Sequence, residues 1–93
     1  MRYAGWANFH TWNVALWISN DRPLYEAALK YVDNDPSPTY LGFIGSKYMD
    51  AEWGSLTGDG VSWTDPTLNH AELDGMIAVL PLHIRRIRND NAS

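Results

Sequence analysis

Histidines, clustered carboxylates and hydroxyls beside glycine-rich turns are the side chains here with the means to do chemistry. His10, His70 and His83 are far apart in the chain, and none stands in a recognised metal spacing. The fragment His70-Ala71-Glu72-Leu73-Asp74 lacks the second histidine that a helical zinc-hydrolase motif places one turn after the first. There is no cysteine, which removes a thiolate metal site, a disulfide framework and a thiol nucleophile together. No serine stands in a G-x-S-x-G elbow, and no glycine-rich loop leads into a lysine that would hold a phosphate. The pairs Asp33/Asp35 and Asp50/Glu52 have a spacing that general acid–base or magnesium chemistry uses. Asp33 and Asp35, however, sit in DNDPSP, where turn geometry alone favours Asp, Asn and Pro, and Asp59 sits in TGDG, which reads as a chain reversal. These carboxylates are read as solvated surface, and neither a metal nor a cofactor is expected.

Five Trp, five Tyr and two Phe form the other distinctive set. Aromatic rings stack on bases, cage cations or anchor protein interfaces, but a chain of 93 residues without cysteine needs them first for its core. Trp12 is expected in the core, whereas Trp6, Trp53 and Trp63 lie outside strong helical stripes, which leaves open which of them faces a partner.

The elements that position these residues are mainly helical. A first helix is expected over about 9–19, with Asn8 as N-cap and Trp12, Ala15, Leu16 and Ser19 on one face. Trp17 and Ile18 fall off that stripe. Asn20, Asp21 and Pro23 mark a tight corner, after which a second helix over about 22–32 carries Leu24, Ala27, Ala28 and Tyr31 inward and pairs Glu26 with Lys30. DNDPSP ends it. A third helix is expected after Pro38 with Tyr40, Leu41, Ile44, Tyr48 and Ala51; Gly42 and Gly45 allow either close packing against an indole or a short strand instead. The loop over 53–69 is long enough to imply a purpose, with Val61 and Trp63 pinning it to the core. A fourth helix follows, with Asn69 and Glu72 in a capping-box relation and Leu73, Met76, Ile77 and Leu80 inward, until Pro81 ends or kinks it. The fold class expected is therefore a compact, mainly α domain of about four helices, with a long loop between the third and fourth.

The net charge of −4 is unevenly placed: residues 1–84 hold four Lys or Arg against ten Asp or Glu, and Arg85, Arg86 and Arg88 make the end basic. An acidic body disfavours direct nucleic-acid binding and favours a basic protein partner. No apolar run reaches the ~18 residues of a membrane span and no signal-peptide pattern opens the chain, so a cytoplasmic protein is expected.

The segment NFHTWNVALWISNDRPLY, with Asn8, Thr11, Trp12, Asn13, Leu16, Trp17, Asn20, Asp21, Leu24 and Tyr25 as N-x-x-TWN-x-x-LW-x-x-ND-x-x-LY, resembles the opening of a group of small uncharacterised proteins of phages, plasmids and other bacterial mobile elements. The later GDGVSWTDPTLNHAELDGMI, with Trp63, Asp65, Leu73 and Asp74, is similar to the closing part of some members. No activity belongs to that group as a whole, so the resemblance implies an origin and no catalytic residue. Small acidic proteins of such origin are often inhibitors that occlude a host defence complex by offering carboxylates where a nucleic-acid phosphate would bind. The function expected is a non-enzymatic anti-defence protein of the anti-CRISPR type, in a bacterial host cytoplasm. It would bind a host protein or ribonucleoprotein complex stoichiometrically, through Asp33, Asp35, Asp50, Glu52, Asp59, Trp63 and Asp65. The alternatives are a housekeeping interaction module, for which a homodimer is allowed, and a small enzyme using carboxylates and Mg²⁺. The polar residues of the opening motif also have a structural reading, as caps of a helical corner.

Overall fold

The computed structural model describes residues 2–49 and 53–80. Expectations that fall on Asp50, Ala51, Glu52, Pro81 and the arginine-containing tail lie outside the described residues. Among the described residues there are four α-helices: α1 (Phe9–Asn20), α2 (Arg22–Asp33), α3 (Tyr40–Ile44) and α4 (residues 70–80).

Each helix starts where a side chain satisfies its first free N–H groups. Asn8 accepts the Thr11 N–H at 2.8 Å. Asp21 serves two helices at once, since its backbone N–H closes α1 on the Trp17 carbonyl at 3.0 Å while its carboxylate accepts the Leu24 N–H at 3.2 Å. Pro23 lies in the first turn of α2, where its missing N–H is no loss. Thr39 accepts the Gly42 N–H at 3.0 Å, and Asn69 accepts the Glu72 N–H at 3.0 Å. The core draws on all four helices: Val14, Ile18, Leu24, Ala28, Tyr40, Phe43, Leu73 and Ile77 are fully buried.

Four local expectations are corrected. The inner face of α1 is Thr11, Val14, Ala15 and Ile18, with Asn13 beside it, so the helix is rotated away from the Trp12 stripe and Trp12 is only half-buried. The rotation has a polar cause. Thr11 donates to Asn8 Oδ1 at 2.8 Å and accepts the Asn69 N–H at 2.9 Å, which joins the N-termini of α1 and α4. α3 is short, stopping at Gly45, and it buries Tyr40 and Phe43 while exposing Leu41. Gly42 does permit a close approach, but of a phenol: a Cβ there would lie 2.1 Å from the Tyr31 hydroxyl. The capping box on α4 is half formed, because the Glu72 carboxylate turns to the Ala7 N–H at 2.7 Å and to Arg2. Glu26 pairs with Arg22 at 3.2 Å in place of Lys30.

The remaining connections tie α3 to its neighbours. The Tyr40 N–H donates to Asp74 Oδ1 at 2.8 Å and its hydroxyl to the Trp63 carbonyl at 2.7 Å. Burial pushes the Tyr40 phenol well above its ordinary pKa, so it stays a donor throughout the physiological range. In the segment before α1, Tyr3 and Trp6 exchange backbone hydrogen bonds of 2.7 and 2.8 Å across a reversal with φ of 49° at Ala4 and 90° at Gly5.

Two stability outcomes follow from these contacts. Thr11→Val keeps shape but orphans the Asn69 N–H, so it should cost about 1–3 kcal/mol, read as a drop of about 4–8 °C in Tm for each kcal/mol. Thr11→Ser, which keeps the hydroxyl, should cost about one methyl group, near 0.8 kcal/mol. A Val variant as stable as the parent would remove the hydroxyl from its role. Ala4→Asn should stabilise by about 0.5–1 kcal/mol, since Asn tolerates the left-handed conformation and Asn-Gly suits this type of turn; an unchanged or lower Tm would count against it.

Candidate protein-binding face on the first helix

The 53–69 loop is held to α1 by polar side chains on both sides. Within the loop, Leu56 and Ser62 form an antiparallel bridge, and the chain reverses over Thr57-Gly58-Asp59-Gly60 with the Gly60 N–H on the Thr57 carbonyl at 2.9 Å. The buried Thr57 hydroxyl donates to Asn13 Oδ1 at 2.7 Å and accepts the Val61 N–H at 3.2 Å. The Asn13 amide in turn donates to Asp59 Oδ2 at 2.8 Å, and the Trp17 indole N–H donates to the same oxygen at 2.9 Å. Gly58 lies against that indole, so closely that an added Cβ would clash with the ring. The TWN-x-x-LW segment and the TGDG turn, 46 residues apart at Asn13 and Asp59, are therefore one contact.

These donors hold the Asp59 carboxyl below its ordinary pKa of 3.8, through Asn13 first and Trp17 second. Asp65 is held low by the Thr67 hydroxyl and backbone N–H, and Glu72 by the Ala7 N–H and then Arg2. Asp59, Asp65 and Glu72 thus stay ionised to lower pH than carboxyls without such donors.

Beside this contact α1 is flanked by two hollows. One hollow of about 260 Å³ is lined by Leu16, Trp17, Asn20, Asp21 and Asp59. A second of about 160 Å³ is lined by Trp6, Trp12, Ala15, Leu16, Ser19 and Asn20. Leu16 and Asn20 border both, so the two hollows lie on either side of these residues. At the start of the helix Tyr3, Phe9 and Trp12 pack ring against ring, with centroids 5.0–5.6 Å apart, although Tyr3 and Phe9 remain exposed.

The residues expected to bind a partner do not share one place. Asp59 borders the hollow described above. Asp33 is exposed at the end of α2, and Asp35 caps a turn by accepting the Ser37 N–H at 2.8 Å. Asp65 does the same for Thr67 at 2.8 Å, close to His10. No hydrogen bond or ion pair joins these to Asp59 among the described residues, and no group of three or more His, Asp or Glu among them is placed to hold a metal. Asp50 and Glu52 lie outside the described residues. Trp63 is corrected: only 3% exposed, it is core, because Val61, Trp63 and Leu68 are the apolar residues that fasten the loop and Trp63 also carries the carbonyl that Tyr40 binds. The sequence places Trp12 and Leu16 in the core and Asn20 and Asp21 at a corner, sets Trp17 off the inner stripe and leaves Trp6 open; all six line the face. All of them except Trp6 belong to the TWN-x-x-LW-x-x-ND pattern.

A carboxyl held low in the folded state contributes stability that is complete above its unfolded pKa and is lost as pH falls through the folded value. The Tm difference between the parent and Asp59→Ala should therefore be largest near neutrality and shrink below about pH 3.8. Asp59→Asn retains a carbonyl acceptor for Asn13 and Trp17 and should lose less at neutral pH. A Tm difference for Asp59→Ala that is the same at pH 7 and pH 3 would show that the charge of Asp59 takes no part in holding the loop.

No curated protein and no solved structure matches this chain. A family model does, over residues 1–83, which span α1 to α4 together with the hydrogen-bonded contact between Asn13, Trp17 and Asp59. The chain belongs to the DUF7249 family, a family of unknown function.

Proposed function

We propose that the protein is a non-enzymatic, stoichiometric binder of a host nucleic-acid-handling complex, an anti-defence protein of the anti-CRISPR type. The observation that carries this reading is the imbalance of surface charge. The described residues hold eight carboxylates against four Lys or Arg, and two of those cations, Arg2 and Arg22, are engaged by Glu72 and Glu26. Asp21, Asp33, Asp59 and Asp65 have no Lys or Arg partner among the described residues. A surface of this kind is drawn to channels lined with Lys and Arg, quickly and in a salt-dependent way. The resemblance to mobile-element proteins supplies the biological setting.

The test is reconstitution with the CRISPR effectors and nucleases of the host. One of them should form a complex of fixed stoichiometry with the protein and lose its grip on target nucleic acid, with association slowing as salt rises. Asp33→Asn, Asp35→Asn and Asp65→Asn together remove charge while leaving the turn acceptors in place, and should slow association about tenfold at low salt. Absence of binding and of inhibition across these complexes would overturn the proposal. A homodimer without effect on any of them would favour a housekeeping interaction module.

A further inference from the structure

We propose that the face of α1 bearing the two hollows is a receptor for an arginine on an extended protein segment, with an apolar side chain two residues away seated between Trp6 and Trp12. The inference deepens the binding reading above, on which it rests for the identity of the partner.

The two hollows flank Leu16 and Asn20, which line both, and differ in character. The larger is lined by Leu16 and Trp17 together with the carboxylates Asp21 and Asp59; the smaller is lined mainly by Trp6, Trp12, Ala15 and Leu16. Both carboxylates are half used. Asp59 takes the Asn13 and Trp17 donors on Oδ2 alone, and Asp21 takes the Leu24 N–H on Oδ2. Each keeps its other oxygen free of hydrogen bonds among the described residues. Arg22, the next residue after Asp21, is turned to Glu26, and Arg2 to Glu72. An apolar ligand alone would cover these anions without a partner, which is costly. A nucleic acid would be repelled by them.

Arginine suits the larger hollow better than lysine. Its planar fork can donate to two carboxylates at once, and its weakly hydrated face lies well against an indole. In an extended segment, residues i and i+2 point to the same side, so one strand of a partner places an apolar side chain in the smaller hollow and the arginine in the larger.

The probe is the peptide acetyl-Gly-Leu-Gly-Arg-Gly-amide, titrated into the ¹⁵N-labelled protein while the indole N–H signals are followed. Saturable shifts are expected at Trp17, Trp12 and Trp6. Replacing arginine by its neutral isostere citrulline should weaken binding roughly three- to tenfold, as should Asp21→Ser, which keeps the helix cap but removes the charge, and Asp59→Asn. Thermal melts of both variants check that the fold is intact. Citrulline binding as well as arginine, shifts absent from these indoles, or the same shifts appearing on raising protein concentration without peptide, which marks a second copy as the occupant, would each overturn the proposal. If the peptide binds here and no host complex is inhibited, the anti-defence reading fails and the receptor stands. If a complex is inhibited equally by the parent and by both charge variants, and the peptide does not compete, the receptor fails and the anti-defence reading stands.

Discussion

The hydroxyl of Thr11 and the amide of Asn13 are at most 1% exposed on the inner face of α1. A buried polar group left without partners costs about 1–3 kcal/mol, so whatever packs on that face must bring donors and acceptors to two points. The chain does so with two pieces of backbone distant in sequence. Asn69, at the start of α4, offers its N–H to Thr11, and the Thr57–Asp59 turn offers a hydroxyl and a carboxylate to Asn13. Hydrophobic contact would have allowed α1 several rotations about its axis. Hydrogen-bond direction selects one, and with it the register of the 53–69 loop.

The display of aromatic residues follows from that selection. With Thr11, Val14, Ala15 and Ile18 inward, Trp12 and Trp17 lie on the flanks of the helix, neither core nor fully exposed. Trp17 is fixed from one side by Gly58 and at its N–H by Asp59, and Trp12 by the rings of Tyr3 and Phe9. Side chains ordered in this way lose little further freedom on meeting a partner, which lowers the entropic cost of association.

Much of the architecture was legible because its signals are local. Asn8, Asp21, Thr39 and Asn69 cap helices within three residues of themselves, and the apolar spacings of α2 and α4 identify their inner faces without reference to anything else. The α1 face was misread because the periodicity rule places large apolar residues inside, and it has no way to see Thr57 and Asp59 arriving more than 40 residues later. For the same reason Trp63 looked available. Its burial comes from joining a core cluster with residues of the helices, from other parts of the chain. Asp59 was legible as a turn residue, which it is, but a turn reading says nothing about what the turn leans on.

Asp59 shows why structural and binding readings of the opening motif need not compete. A carboxylate has two oxygens and capacity for about four hydrogen bonds. Here one oxygen is committed to Asn13 and Trp17, which orients the group and keeps it ionised. The other oxygen is left without a hydrogen-bond partner among the described residues, on an exposed side chain beside the ring that a cationic side chain would stack on. Replacing the TWN-x-x-LW donors would loosen the turn and, in the same step, let the carboxylate wander and its pKa return toward the ordinary value. A motif that holds a loop down and a motif that presents an anion can thus consist of the same residues. The two roles separate only when the charge at Asp59 is removed and its acceptor oxygen is kept.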